Sequence, residues 1–215
     1  MNRLRLFQLL PATVLIWAAA VGGAAAGPEQ DPMARWYARV EAARLASVPP
    51  PPKGVRELQW QQLSPPGWSP TKILQRLGVD ALVDTDPAVL AKMDEIRHEW
   101  DLAPTVALAE GTVVRLTGFP LVLDEMAGSA RTIIVAPYYG ACVHKPAPPA
   151  NQMVVVALRN AFPAHMQQQP VWIVGKIVTQ ATPTRYGRAA YLMVDARWEP
   201  YPYQKYPLPR YQPLR

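Results

Sequence analysis

The stretch Thr112-Val-Val-Arg-Leu-Thr-Gly-Phe-Pro-Leu-Val-Leu123 decides how the chain is read. Its β-branched and aliphatic residues suit an extended strand, with Val114 and Leu116 on one face and Arg115 and Thr117 on the other. Gly118 and Pro120 interrupt it as a bulge or sharp bend would. A polar turn over 124–130 leads to a second strand over 131–136. The third strand, 152–158, carries an unbroken apolar run, as burial on both faces requires. An irregular connection or short helix over 160–169 precedes the fourth strand, 170–179, which has its own bend at Gly175. After a polar loop over 180–188 comes a fifth strand, 189–198, with Leu192, Val194, Ala196 and Trp198 on one face. Five strands in this span, with glycine bends in the first and fourth, predict a mainly β fold with flanking helices. Its centre is a small five-stranded barrel of the oligomer-binding (OB-like) type, with an α-helical and extended N-terminal arm. A plain sandwich or open sheet is the alternative.

Upstream, Asp86-Pro87 opens a helix. Asp84, Thr85 or Asp86 can cap it, and Pro87 suits its first turn. Val89, Leu90, Met93, Ile96, Arg97 and Trp100 follow the helical period. His98, among Asp94, Glu95 and Glu99, reads as a solvated histidine. Before this helix, residues 57–68 read as an extended arm pinned by Trp60 and Trp68, with a turn at Pro65-Pro66-Gly67. The run Pro49-Pro50-Pro51-Pro52 ends a short helix over 34–47, whose Trp36, Val40, Ala43 and Ser47 share a face.

The N-terminus has the form of an export signal. Arg3 and Arg5 precede an uncharged stretch, and Ala24-Ala25-Ala26 offers small residues for cleavage after Ala26. Gln8, Pro11, Gly22 and Gly23 interrupt that stretch, which argues against a retained span of about 20 apolar residues. No cysteine follows the signal to carry a lipid, so a lipoprotein is excluded. The expected divisions are a signal peptide (1–26), a flexible N-terminal helix and proline-rich linker (27–56), an arm and helix packing on the barrel (57–110), the OB-like β domain (111–200) and a Tyr/Pro-rich tail (201–215). Cleavage removes two of the 22 basic residues and none of the 16 acidic ones, leaving about +4. Export disfavours nucleic acid as a partner. It points instead to the periplasm and to an anionic envelope polymer.

Residues 136–152 gather the specialised side chains: the only cysteine, Cys142, one of three histidines, His144, and Pro137, Pro146, Pro148 and Pro149. On extended backbone, residues i and i+2 face one side, so Cys142 and His144 could both approach one zinc or copper(I) ion. A third ligand would have to come from His165, His98 or a carboxylate, and no spacing selects one. The same pair could act as nucleophile and base, with Asn151 as orienter, in a thiol-dependent enzyme. The plainer reading is a proline-stiffened loop in which Asn151 and Gln152 satisfy backbone groups. That loop would present Tyr139, Cys142, His144, Lys145, Pro148, Pro149, Asn151 and Gln152 to a ligand or partner, without catalysis.

The segment Gly140-Ala-Cys-Val-His-Lys-Pro-Ala-Pro-Pro-Ala-Asn-Gln152 resembles the hallmark of a bacterial exported family, domain of unknown function 3299. The family's segment typically reads GACIHVPPPPANQ, so Lys145 and Ala147 replace its valine and a proline. Residues 57–65 resemble the family's opening motif, 114–120 its first strand and 134–142 its approach to the loop. The resemblance spans about residues 57–200. It implies export, association with the cell envelope and an accessory role beside transport systems, with envelope transport components as partners. It implies no catalytic residues.

Overall fold

The computed structural model describes residues 35, 36, 39, 40, 42, 43, 46–79, 87–108, 111–141, 147–206 and 208, with only the backbone of Ala88 and Val89. The chain divides into two compact units, Met1–Glu41 and Ala42–Arg215. The described residues of the first, Arg35, Trp36, Arg39 and Val40, are helical, in keeping with the expected helix there. The expected signal segment, residues 1–26, and the expected caps Asp84, Thr85 and Asp86 lie outside the described residues.

The second unit is built on six strands: β1 (Arg56–Leu58), β2 (Val113–Val122), β3 (Ser129–Ala136), β4 (Val154–Pro163), β5 (Val171–Thr184) and β6 (Gly187–Pro200). Strands β2 to β6 close into a barrel in the order β2-β3-β4-β6-β5, with β5 returning to β2. The β4–β6 pair is parallel and the other barrel pairs are antiparallel. This is the expected five-stranded OB-like barrel. β1 is an extra strand, laid parallel on β2 from Val114 to Leu116.

Gly118 is where β2 changes partners. Residues up to Gly118 pair with β5, and from Phe119 onward they pair with β3. A Cβ on Gly118 would lie 2.4 Å from Val135 Cγ1 and 2.8 Å from the Ala136 carbonyl, so only glycine permits this crossing. Beyond it, the edge of β2 that β5 has left needs new partners. The Gln168 N–H donates to the Pro120 carbonyl at 2.9 Å, Val122 N–H donates to Gln167 Oε1 at 3.1 Å, and Arg185 Nη2 donates to the Val122 carbonyl. Pro120, lacking an N–H, therefore sits on an edge where no strand requires one.

The fifth strand corrects an expectation. Its inward residues are Tyr191 and Met193 and then Ala196, not a continuous face through Leu192 and Val194, which are half-buried. Asp195 adopts φ +54° and the register slips there against both neighbours, so the bulge moves the inward position from odd to even numbers. Gly175 faces this bulge, where a Cβ would lie 2.8 Å from Met193 Cγ. The expected polar loop over 180–188 is instead ladder: β5 and β6 continue pairing to Thr184 and Gly187 around a tight turn at Arg185 and Tyr186. The connection after β4 is a single 3-10 turn, Ala164–Met166.

Among the described residues, short helices α1 (Pro70–Arg76), α2 (Pro87–Ala91) and α3 (Met93–Asp101) lie between β1 and β2. The expected continuous helix from Pro87 breaks at Lys92 (φ −106°, ψ 3°), whose amine donates to the Leu77 carbonyl. Leu90 is consequently 54% exposed, while Met93, Ile96 and Trp100 pack with Leu77 and Val79. The barrel core holds Val114, Leu116, Ile133, Val135, Val154, Val156, Ile173, Ile177, Tyr191 and Met193, and the arm inserts Leu58, Trp60 and Leu63 into it. Trp60 Nε1–H donates to the Thr117 carbonyl at 2.7 Å and pins the arm, but Trp60–Leu63 form a 3-10 turn rather than the extended chain expected over 57–68. No described helix is long and apolar enough to cross a membrane.

Candidate functional site

The loop between β3 and β4 leaves the barrel at Ala136 and returns at Val154. At its departure, Tyr138 to Ala141 form a turn closed by Ala141 N–H to the Tyr138 carbonyl at 3.3 Å. Gly140 has φ +76°, a region that favours glycine, and its N–H donates to Gln168 Oε1 at 3.0 Å. Tyr139 is 70% exposed and meets the edge of Phe119, with ring centroids 6.3 Å apart. At the return, Pro148 and Pro149 are buried and lead into a 3-10 turn, Ala150–Gln152.

Asn151 and Gln152 are wholly buried, and their amides reach far along the chain. Asn151 Nδ2 donates to the Pro104 carbonyl at 2.9 Å. Gln152 Nε2 lies 3.1 Å from the Trp60 carbonyl, 2.9 Å from Ser64 Oγ and 3.0 Å from the Asn151 carbonyl. Backbone carbonyls only accept, so both side-chain amides have one workable orientation. Their oxygens, Asn151 Oδ1 and Gln152 Oε1, have no hydrogen-bond partner among the described residues. Tyr191 completes the clamp: its hydroxyl donates to the Leu63 carbonyl at 2.7 Å and accepts Val106 N–H at 2.9 Å. Burial pushes the Tyr191 phenol above its usual value, against the opposing effect of the Val106 bond.

The described ends of the loop pack on an outer face of the barrel. Leu121, Ile134, Ala136, Val155 and Ala189 point away from the main core and form a second cluster with Ala141 and Met153. Ala147 and Tyr186 pack on its margin. Barrels of this type commonly bind ligands on the face of their second and third strands, flanked by the hairpin joining the fourth and fifth. Here those strands are β3 and β4, the hairpin tip is Arg185 and Tyr186, and part of the face is already filled by the chain's own loop.

Of the residues expected to form the site, Tyr139 is presented to solvent, whereas Pro148, Pro149, Asn151 and Gln152 are buried supports. Cys142, His144 and Lys145 lie outside the described residues. His98 and His165 are exposed, and among the described residues no group of three or more His, Cys, Asp or Glu could hold a metal ion. Gln168, Trp60, Ser64 and Pro104 hold the loop without having been singled out for that role. Their contacts cross long sequence separations and leave no local pattern.

Residues 60–200 match the model of a family described as Protein of unknown function (DUF3299). The chain belongs to this family. The match begins at Trp60 of the arm and ends at Pro200 of β6, so it covers all five barrel strands. The fold is similar to the crystal structure of a DUF3299 family protein from Pseudomonas aeruginosa PAO1 at 2.45 Å resolution. The two are 29% identical with a TM-score of 0.53, over 69% of this chain and 97% of that one. No curated protein matches the chain.

Proposed function

We propose that this protein is exported to the periplasm and acts there as a binding or accessory protein of the cell envelope. Its working surface in this reading is the 137–152 loop, offered to a component of an envelope transport system. The observation that carries the proposal is the contrast within the loop: Asn151 and Gln152 are wholly buried and tied to distant backbone, while Tyr139 is 70% exposed. A rigidly supported segment with an exposed aromatic is suited to recognition, because little ordering entropy remains to be lost on binding. The N-terminal charge and cleavage pattern support export.

Two experiments test this. A fusion of the first 60 residues to a phosphatase that is active only outside the cytoplasm should give active reporter, and an inactive fusion rejects export. In-cell cross-linking should capture envelope proteins with the native chain and lose them when 145–149 becomes a Gly-Ser linker. Unchanged partners would reject the loop as the docking surface.

A second reading makes Cys142 and His144 ligands of zinc or copper(I), on the strength of their i, i+2 spacing. It expects bound metal in the purified mature protein and loss of that metal in Cys142→Ser and His144→Ala. A folded, metal-free protein in micromolar zinc would rule it out.

A further inference from the structure

The barrel wall carries a second feature unrelated to the loop. Arg131 on β3, Arg159 on β4, Arg197 on β6 and Lys176 on β5 are all exposed, one cation on each of four neighbouring strands. The pairing registers bring them near one another. Thr132 pairs with Ala157 and Ala130 with Phe162, so Arg131 lies opposite the bulged stretch that contains Arg159. Leu158 pairs with Ala196 in parallel, placing Arg159 beside Arg197. Val174 pairs with Arg197 and Lys176 with Val194, so Lys176 lies two residues along β5 from the position opposite Arg197, beside the Asp195 bulge. Strands lie about 4.8 Å apart, so the four cations form a stripe running across them.

The contacts tie these side chains together. Arg131 Nη1 donates to the Arg159 carbonyl at 2.7 Å. Arg159 Nη2 and Lys176 Nζ lie 3.4 and 3.3 Å from opposite oxygens of Asp195, which the β6 bulge lifts to the surface. Their side chains remain 63% and 49% exposed, so the ion pairs do not withdraw them from solvent. Hydrogen bonding by Lys176 and the charge of Arg159 hold the Asp195 carboxyl below its usual range, so it stays ionised as the cations' spacer. The other nearby acids are Asp124, whose carboxylate accepts the Arg131 and Thr132 N–H groups, and Glu199, which follows Arg197 on β6.

We propose that this stripe binds a linear acidic glycan, with anionic groups tracking across β3, β4, β6 and β5. A row of cations on a convex wall suits a flexible chain with repeated charges better than a flat membrane surface. The choice of glycan over nucleic acid rests on the export reading above.

The test uses the mature protein with heparin as probe, compared with neutral dextran, a dT oligonucleotide and anionic lipid vesicles. Binding to heparin should weaken with salt, and replacing Arg131, Arg159, Lys176 and Arg197 by Gln should raise the dissociation constant by at least about tenfold. A control variant replaces Lys53, Arg56, Arg76 and Arg97 by Gln, losing the same charge elsewhere, and should keep its affinity within about twofold. Asp195→Asn should tighten binding. An equal loss in the control variant, equal binding to dextran, or preference for oligonucleotide or vesicles would overturn the proposal. Because export is scored by the separate reporter fusion, failure of the stripe and failure of the export reading remain distinguishable.

Discussion

Inside the barrel, Val114, Ile133, Val154 and Ile173 are fully buried and touch one another through side chains that could be exchanged for others of similar shape. On its outside, the 137–152 loop is held by Asn151 and Gln152, also wholly buried, through amides that no apolar residue could replace. Both regions exclude water, but by different means. The interior is stabilised by apolar area removed from water, which is tolerant of detail. The loop depends on directional bonds in a dry setting, where a lost partner leaves a buried carbonyl unsatisfied. The barrel should therefore tolerate sequence change that the clamp would not.

That contrast can be broken from either side. The largest expected effect is in the interior: Ile173→Ala should cost about 2–5 kcal/mol in denaturant unfolding, whereas Ile173→Val should cost only about 0.5–1.5 kcal/mol. Gln152→Leu keeps apolar bulk but strands the Trp60 carbonyl and Ser64 Oγ, so a loss of about 1–3 kcal/mol is expected despite higher hydrophobicity. If Gln152→Leu proved neutral, the clamp would be ordinary packing. Raised pH should strain the polar side selectively. The folded-state phenol of Tyr191 is raised by burial, so its stabilising contribution is full below the ordinary tyrosine value near 10 and declines as pH rises through the folded-state value. Tyr191→Phe should flatten that alkaline decline in a thermal-denaturation series. The smallest stability effect belongs to Tyr139→Ser, expected within about 0.5 kcal/mol of the native chain, because the side chain is 70% exposed. Its consequence should appear in partner capture instead.

The same contrast explains what could be read from residues alone. The α1 start was legible in principle: Ser69 caps the helix by accepting Thr71 N–H, and Pro70 occupies the first turn. The β6 face was not legible, because a non-glycine residue at φ +54° in Asp195 reverses the inward alternation without a local marker. The hairpin through Thr184 and Gly187 was hidden for a related reason, since its polar residues look like loop until the opposite strand supplies their partners.

Apolar runs and two bend glycines were enough to place the centres of the five barrel strands, since burial selects apolar residues and closure forces close approach at Gly118 and Gly175. The family resemblance in residues 57–200 was likewise present in the chain itself, and the match over 60–200 bears it out. Only the tertiary structure decided that Asn151 and Gln152 face inward and that Gln168 holds the loop's departure. It also decided that Arg131, Arg159, Lys176 and Arg197 gather on neighbouring strands of one wall. These are relations between residues tens of positions apart. They are set by strand register and a single bulge, and neither is encoded in the neighbours of the residues concerned.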